Sequence, residues 1–331
     1  MEKIIIMMLI IAIIITATLA FIVNENRTES NKVNVRLEWL HQAQFAGFYV
    51  AEQKDYYKEN GINVNLNMGG VDYPAIQMVA GGKEQFGLAE ADQILLAREK
   101  GVPIVAIATL YRKNPTVWFS LKKSNITSAE EFVGKRIGTW PDVMALLNVM
   151  LKNAGVKKEN ISEVPIKYDI SPLLIGEVDV LPGYVINEPI VAQEKGYDVN
   201  IIWPADYNIK FYSMTLFTTE NMIKNNPELV QQFVNSTLKG WNYAYDNPDE
   251  AVNYTLMYSN QLNREHESKM IYASLELLKP DDKPIGYMDK IVWENMQKIL
   301  LDNKDMKNPI NNINEVYTNK FLENYYHGIN N

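Results

Sequence analysis

The chain has 331 residues, 47% of them hydrophobic, a formal net charge of −8 and no cysteine. That length suits one large domain or two lobes of about 100–150 residues each. The missing cysteines exclude disulfides, thiolate metal sites and cysteine nucleophiles, and an acidic chain with no basic cluster lacks the footprint of nucleic-acid binding.

Residues Ile4 to Val23 are apolar but for Thr16 and Thr18, with Lys3 before them and a polar stretch, Asn24 to Lys32, after them. A run of that length can span a bilayer, and Thr18-Leu19-Ala20 offers a small-residue cleavage site. Residues 1–23 therefore read as a signal peptide or an N-terminal membrane anchor, with 24–32 as a linker. In either case the body is exported, to the periplasm or the outer face of the cytoplasmic membrane.

Val33, Val35, Leu37 and Trp39 alternate as a half-buried strand. Ala46, Tyr49, Val50, Gln53 and Tyr57 follow helical spacing up to Gly61, and Ile62, Val64 and Leu66 alternate again. This strand–helix–strand unit seeds an open parallel sheet, whose ligands bind beyond the carboxyl ends of the strands. A short helix over 72–80 follows, then a strand at Phe86 to Ala89 and a helix over 91–100. Val102 to Leu110 is a near-continuous apolar run, suited to a strand buried on both faces. The region 33–110 is thus β-α-β-α-β-α-β.

A second α/β set follows. Strands are expected at 117–122, 135–140, 164–168, 178–180, 200–203 and 212–218, with Pro182-Gly183-Tyr184 as a turn. Ser128 and Glu131 have the spacing of a capping box. Asp142 and Asn187 open helices, the latter with Pro189 in its first turn. From Thr219 the pattern is helical only, over roughly 220–246, 248–259, 264–278, 289–303 and 314–327. The fold class is α/β: residues 33–112 with 220–331 as lobe 1, residues 113–219 as lobe 2, and the helical tail packed on lobe 1. Crossings near 110–115 and 218–222 would form a hinge.

Strand ends from both lobes supply the candidate ligand-binding residues: Trp39, Gln44, Tyr73, Glu90, Asp92, Trp140, Tyr184, Asn187 and Glu188. Trp and Tyr offer flat faces to a planar ring, and carboxylates accept hydrogen bonds from ring amino groups. The set suits a small planar heterocycle with exocyclic N–H donors. There is no phosphate-cradling Gly-rich loop and no nucleophile elbow. The histidines, His41, His266 and His327, lie far apart in sequence, so no metal site and no cofactor are expected.

Several stretches carry a family resemblance. They are Glu38-Trp39-Leu40-His41-Gln42-Ala43-Gln44-Phe45-Ala46-Gly47-Phe48-Tyr49-Val50-Ala51, Tyr56 to Gly61, Met78 to Gly87, Leu95 to Gly101, Phe132 to Gly138, and Gly183-Tyr184-Val185-Ile186-Asn187-Glu188-Pro189. Together they cover most of 34–245. The chain resembles the bacterial periplasmic solute-binding proteins of the thiamine-pyrimidine-synthase-like group, relatives of aliphatic-sulfonate and taurine binding proteins. The resemblance implies a two-lobed, type II-like fold with a hinge and a ligand cleft. It also implies delivery of a small ligand to the permease and ATPase of an ABC importer. Ligands in the group include thiamine pyrimidine precursors, riboflavin and sulfonates.

Eukaryotic relatives are enzymes that build the thiamine pyrimidine from pyridoxal phosphate and one of their own histidines. Their lysine and histidine positions correspond here to Ala89 and Gln93, their cysteine-rich motif falls near Asn208 to Tyr212, and their phosphate turn corresponds to Thr139-Trp140-Pro141-Asp142. A Schiff base needs a lysine amine and a phosphate cradle needs free backbone N–H groups. The resemblance therefore implies a binding protein and not an enzyme.

Overall fold

The computed structural model describes residues 32–329. The apolar segment 4–23, read as a leader or anchor, lies outside the described residues. Among those described, no helix is long and apolar enough to cross a membrane.

The first half follows the expected alternation. It runs β1 (Lys32–Arg36), α1 (Ala46–Gln53), α2 (Tyr56–Glu59), β2 (Asn63–Asn67), α3 (Ala75–Ala80), β3 (Phe86–Ala89), α4 (Ala91–Glu99) and β4 (Ile104–Tyr111). Val33 and Val35 of β1 are fully buried, and every residue of β4 is buried. The apolar run at β4 thus does what its composition demands.

Next come β5 (Thr116–Leu121), β6 (Arg136–Thr139), α5 (Met144–Asn153), β7 (Ser162–Pro165), α6 (Ser171–Leu174), β8 (Leu181–Tyr184), α7 (Glu188–Glu194), β9 (Val199–Ile202) and β10 (Ser213–Thr219). Strand β5 is flanked antiparallel by β8 and β9, and β6 pairs parallel with β7. A bridge between Ile137 and Val180 ties the two together. The expected capping box forms: Ser128 and Glu131 close a 3-10 turn, Ala129–Phe132. Pro182 to Tyr184, expected as a turn, is instead strand. β8 hydrogen-bonds to one neighbour, β5, so a proline missing its N–H is tolerated there.

The domain boundary differs from expectation. β10, assigned to the second lobe, lies in the first sheet, whose order is β2-β1-β3-β10-β4. It runs antiparallel to both β3 and β4. The return crossing therefore lies before residue 213 and not at 218–222. The outgoing crossing follows Tyr111. There the Arg112 guanidinium is held by the Asp281 carboxylate, by Asp289 at 3.2 Å and by the Tyr287 carbonyl at 3.1 Å. This crossing is thus pinned to the C-terminal segment.

That segment comprises α8 (Glu220–Asn225), α9 (Pro227–Asp246), α10 (Pro248–Thr255), α11 (Arg264–Leu278), α12 (Lys290–Asp302) and α13 (Lys320–Ile329). The helix expected over 220–246 breaks before Pro227, which cannot continue it. The tail is not wholly helical, because Val316 and Thr318 exchange backbone hydrogen bonds with Ala106 of β4, both at 2.9 Å. Helix α9 packs on α1 with no side chain between the backbones at Gly240. A Cβ there would stand 2.2 Å from the Gly47 carbonyl oxygen. This packing places the tail on the first sheet, as expected.

Candidate ligand-binding cleft

The first wall of the cleft grows from the carboxyl end of β1. Backbone pairing with the neighbouring segment continues past the strand: Leu37 N–H reaches Asn67 and Gly69 N–H reaches the Trp39 carbonyl, each at 2.9 Å. Only glycine fits at 69, since a Cβ there would lie 2.0 Å from the Leu37 oxygen. That clamp presents Glu38 and Trp39 to the space between the lobes. A 3-10 turn, Ala43–Phe45, follows, and its first amide donates to the buried Glu267 carboxylate of α11 at 2.6 Å.

Gln44 is 1% exposed. It donates to Glu38 Oε1 at 2.5 Å and accepts from Gln42 at 2.6 Å. It stands behind the cleft wall and orients Glu38, so its place is supporting. Glu38 was missed among the sequence candidates. It neighbours Trp39, and strand alternation selects only one of two adjacent residues for a given face.

Glu90 follows β3 and precedes α4. Its side chain makes no cap bond to the helix. Oε1 accepts from the Tyr184 hydroxyl and the Ser213 hydroxyl, both at 2.6 Å, and Oε2 accepts from the Asn114 amide at 3.1 Å. β1 and β3 pair in parallel with Arg36 opposite Gly87, so their carboxyl ends bring Glu38 and Glu90 side by side. Burial first, and the Glu90 charge second, push the Glu38 carboxyl well above the usual carboxylate range. Burial, with the charges of Glu90 and Glu38, also holds the Tyr184 phenol far above its usual value, so it stays a neutral donor.

The aromatic candidates converge through a residue outside the candidate set. The Tyr168 ring lies 4.9 Å from Trp39, tilted by 57°, and 4.9 Å from Trp140, tilted by 44°. It remains 41% exposed. Trp39 comes from the first sheet and Trp140 from the carboxyl end of β6, so Tyr168 joins the lobes across the cleft. The sequence pattern extends this strand to Tyr168. The strand ends at Pro165, which puts Tyr168 in the loop beyond a strand end, where cleft residues sit.

The other candidates scatter. Tyr73 is 49% exposed at the rim, with the Arg36 guanidinium 5.2 Å from its ring centroid. Asp92 is buried in the first turn of α4 and accepts from the Gln93 amide at 2.9 Å. Asn187 occupies the N-cap position of α7 without a side-chain cap bond. Its amide instead donates to Glu188 at 3.0 Å, and its oxygen meets His266 Nε2 at 3.2 Å. Glu188 accepts from the Tyr184 backbone amide at 2.7 Å, and burial raises its pKa against that bond. His266 also contacts Glu194 at 3.1 Å, and Lys269 reaches the same carboxylate at 3.2 Å. These contacts fasten α11 of the first lobe to α7 of the second. A cavity of about 440 Å³ opens at this seam, lined in part by Glu194, His266 and Glu267. His41 lies elsewhere, 3.0 Å from the Tyr49 hydroxyl.

Two α/β lobes joined by two crossings, with aromatic rings from both meeting at Tyr168, define the class as a two-lobed solute-binding-protein fold. The chain belongs to the NMT1/THI5-like family, whose model matches residues 42–251. It is 26% identical to the formylaminopyrimidine-binding protein of Halalkalibacterium halodurans, over 79% of this chain and 82% of that one. It is 25% identical to the riboflavin-binding protein RibY of Chloroflexus aurantiacus, over 88% of this chain and 86% of the relative. A 4-amino-5-hydroxymethyl-2-methylpyrimidine phosphate synthase of Legionella pneumophila is 22% identical over 88% of this chain and 92% of its own length. Among solved structures, a putative periplasmic sulfonate-binding protein SsuA of Methylobacillus flagellatus superposes with a TM-score of 0.69. It is 14% identical, covers 90% of this chain and 94% of that one, and shares the fold.

Proposed function

We propose that this protein is the extracytoplasmic substrate-binding component of an ABC importer and closes on a small planar heterocycle, a pyrimidine precursor of thiamine. The lobes are residues 32–112 with 213–329, and residues 113–212. The observation that carries the reading is the meeting of Trp39, Trp140 and Tyr168 beside the Glu38 and Glu90 carboxyl groups. Stacked rings would hold a flat ligand, and the carboxyl groups would meet its N–H donors. The permease and ATPase of the importer are the partners this reading requires.

Riboflavin is the nearest alternative, since its flat ring system would also stack. A sulfonate fits worse. An anion wants free guanidinium groups or helix N-termini, and cleft carboxylates repel it. Three arginines of the first lobe are committed elsewhere: Arg36 pairs with Glu84 at 2.5 Å, Arg98 with Glu220, and Arg112 with Asp281. A synthase activity lacks its parts, because Ala89 and Gln93 stand where a cofactor amine and a donor imidazole would be needed.

Titration calorimetry of the purified chain against formylaminopyrimidine, hydroxymethylpyrimidine, riboflavin and taurine tests the reading. Tight binding of a pyrimidine and none of taurine is expected. Taurine binding with no heat from any heterocycle would overturn it. Product formed on incubation with pyridoxal phosphate would revive the enzyme.

A further inference from the structure

One set of contacts joins the lobes beside the aromatic cleft. Helix α11 begins at a fixed turn, because the Asn263 side chain accepts from the Glu265 amide at 2.9 Å and the His266 amide at 3.2 Å. His266 and Lys269 stand three residues apart on that helix and so share a face. On α7 of the second lobe, Asn187 at the N-cap and Glu194 at the last turn stand seven residues apart, about two turns, and share a face as well. The two faces meet. His266 lies 3.1 Å from the Glu194 carboxylate and 3.2 Å from the Asn187 oxygen, and Lys269 donates to Glu194 at 3.2 Å. The cavity beside them is lined by α7, α11 and residues 261–263, and the cleft aromatics take no part in it.

A chain of hydrogen bonds leads from this seam into the cleft. The Asn187 amide donates to Glu188 at 3.0 Å, and Glu188 accepts from the Tyr184 backbone amide at 2.7 Å. The Tyr184 hydroxyl in turn donates to Glu90 of the first lobe at 2.6 Å. The residues that meet α11 therefore also place Tyr184. We propose that His266 and Lys269 act as a clasp on Asn187 and Glu194, made when the lobes close and broken when they part, which sets how long a ligand is retained without touching it. Asn187 is then a positioning residue and not a ligand contact. The members of the clasp are partly exposed, so each contact is weak by itself and the hold comes from two cationic or polar groups sharing one carboxylate. The inference rests on the binding-protein reading above but not on which ligand is bound.

Glu194→Ala removes the shared carboxylate, and Asn187→Ala removes the other end of the clasp. Each is expected to speed ligand dissociation about 3–10-fold and to leave association within about twofold, since the clasp forms after the ligand has entered. Stopped-flow fluorescence with formylaminopyrimidine and with riboflavin measures both rates. A clasp that does not touch the ligand shifts all ligands alike, so the ratio of the two affinities should stay within about twofold of the unaltered protein. A ratio moved further than that in Asn187→Ala makes Asn187 a ligand contact and overturns the inference. A second measurement needs no ligand. The chain has no cysteine, so cysteines introduced at the exposed positions Lys195 and Gln261, one on each side of the seam, take a pair of spin labels. Glu194→Ala should move the label distances to longer values, and the exchange of charges, Glu194→Lys with Lys269→Glu, should bring them back. Unchanged distances and an unchanged dissociation rate in Glu194→Ala overturn the clasp while the binding reading stands. If the unaltered protein binds no heterocycle, the functional reading fails and the label distances alone decide the clasp.

Discussion

Gly240 lies in the middle of α9, where that helix crosses α1 at backbone contact. Replacing it with alanine puts a methyl group 2.2 Å from the Gly47 carbonyl oxygen, 2.6 Å from Ala51 Cβ and 2.9 Å from the Ala51 nitrogen. Two of these are backbone atoms of a helix and cannot rotate aside. The helices must part by about 1 Å, which thins the packing on both sides of the contact. Overpacking of this kind costs about 1–3 kcal/mol, at the upper end when backbone must move, while alanine returns about 1 kcal/mol of helix propensity. A net loss near 2 kcal/mol follows, or a drop in Tm of about 4–8 °C at roughly 2–4 °C per kcal/mol. Thermal melts followed by circular dichroism measure this directly. Gly328, with nothing within 4 Å of its would-be Cβ, supplies the control, and its alanine variant should melt no lower than wild type. A Gly240→Ala protein that melts with the wild type would refute the close crossing, and with it the rigid attachment of the tail to the first lobe.

Other outcomes follow from the cleft. Trp39→Ala and Trp140→Ala should each weaken heterocycle binding about tenfold, the worth of one aromatic stacking contact, and Trp140→Ala, at a buried site, should also lower Tm the more of the two. Calorimetry beside a melt separates the two effects, and unchanged affinity in both variants would remove the stacking wall. Glu267 is 2% exposed, and burial raises its pKa despite the bond from the Ala43 amide. The folded state therefore holds this proton more tightly than the unfolded state. Its contribution is whole below the unfolded value and is lost as pH rises through the folded one. Glu267→Gln keeps an oxygen for Ala43 and has no charge to bury. It should melt above wild type at pH 8, with the gap closing towards pH 4; a gap that widens on acidification would contradict the assignment.

Much of the first lobe was legible because its signals are local. Alternation at Val33 and Val35, the helix stop at Gly61 and the apolar run of β4 each act within a few residues. Partnership is not local. The alternating apolar residues of β10 suit either sheet, and nothing within Ser213 to Thr219 states that its neighbours will be β3 and β4. In the cleft, Trp39, Glu90, Trp140 and Tyr184 were visible as strand ends. Tyr168 was hidden by a strand drawn past Pro165, where pairing with β6 ends at Thr139. Glu38 was hidden by its neighbour. Asn187 sits at the expected helix start, yet its side chain answers to His266, a residue 79 positions away in sequence. Contacts between lobes carry no periodicity, so they wait for the structure.

The position of β10 has a bearing on how the chain is made. It is wedged between β3 and β4, so these two never pair with each other, and the strand that joins them is translated about a hundred residues after β4. Until then the nascent first sheet has an open seam bordered by two apolar edges, each a template for another chain. The intervening lobe, contiguous in sequence, can complete itself first. Closure of that seam thus waits until residues 213–219 have been made. The interval before it is when a holding chaperone would have the most to protect.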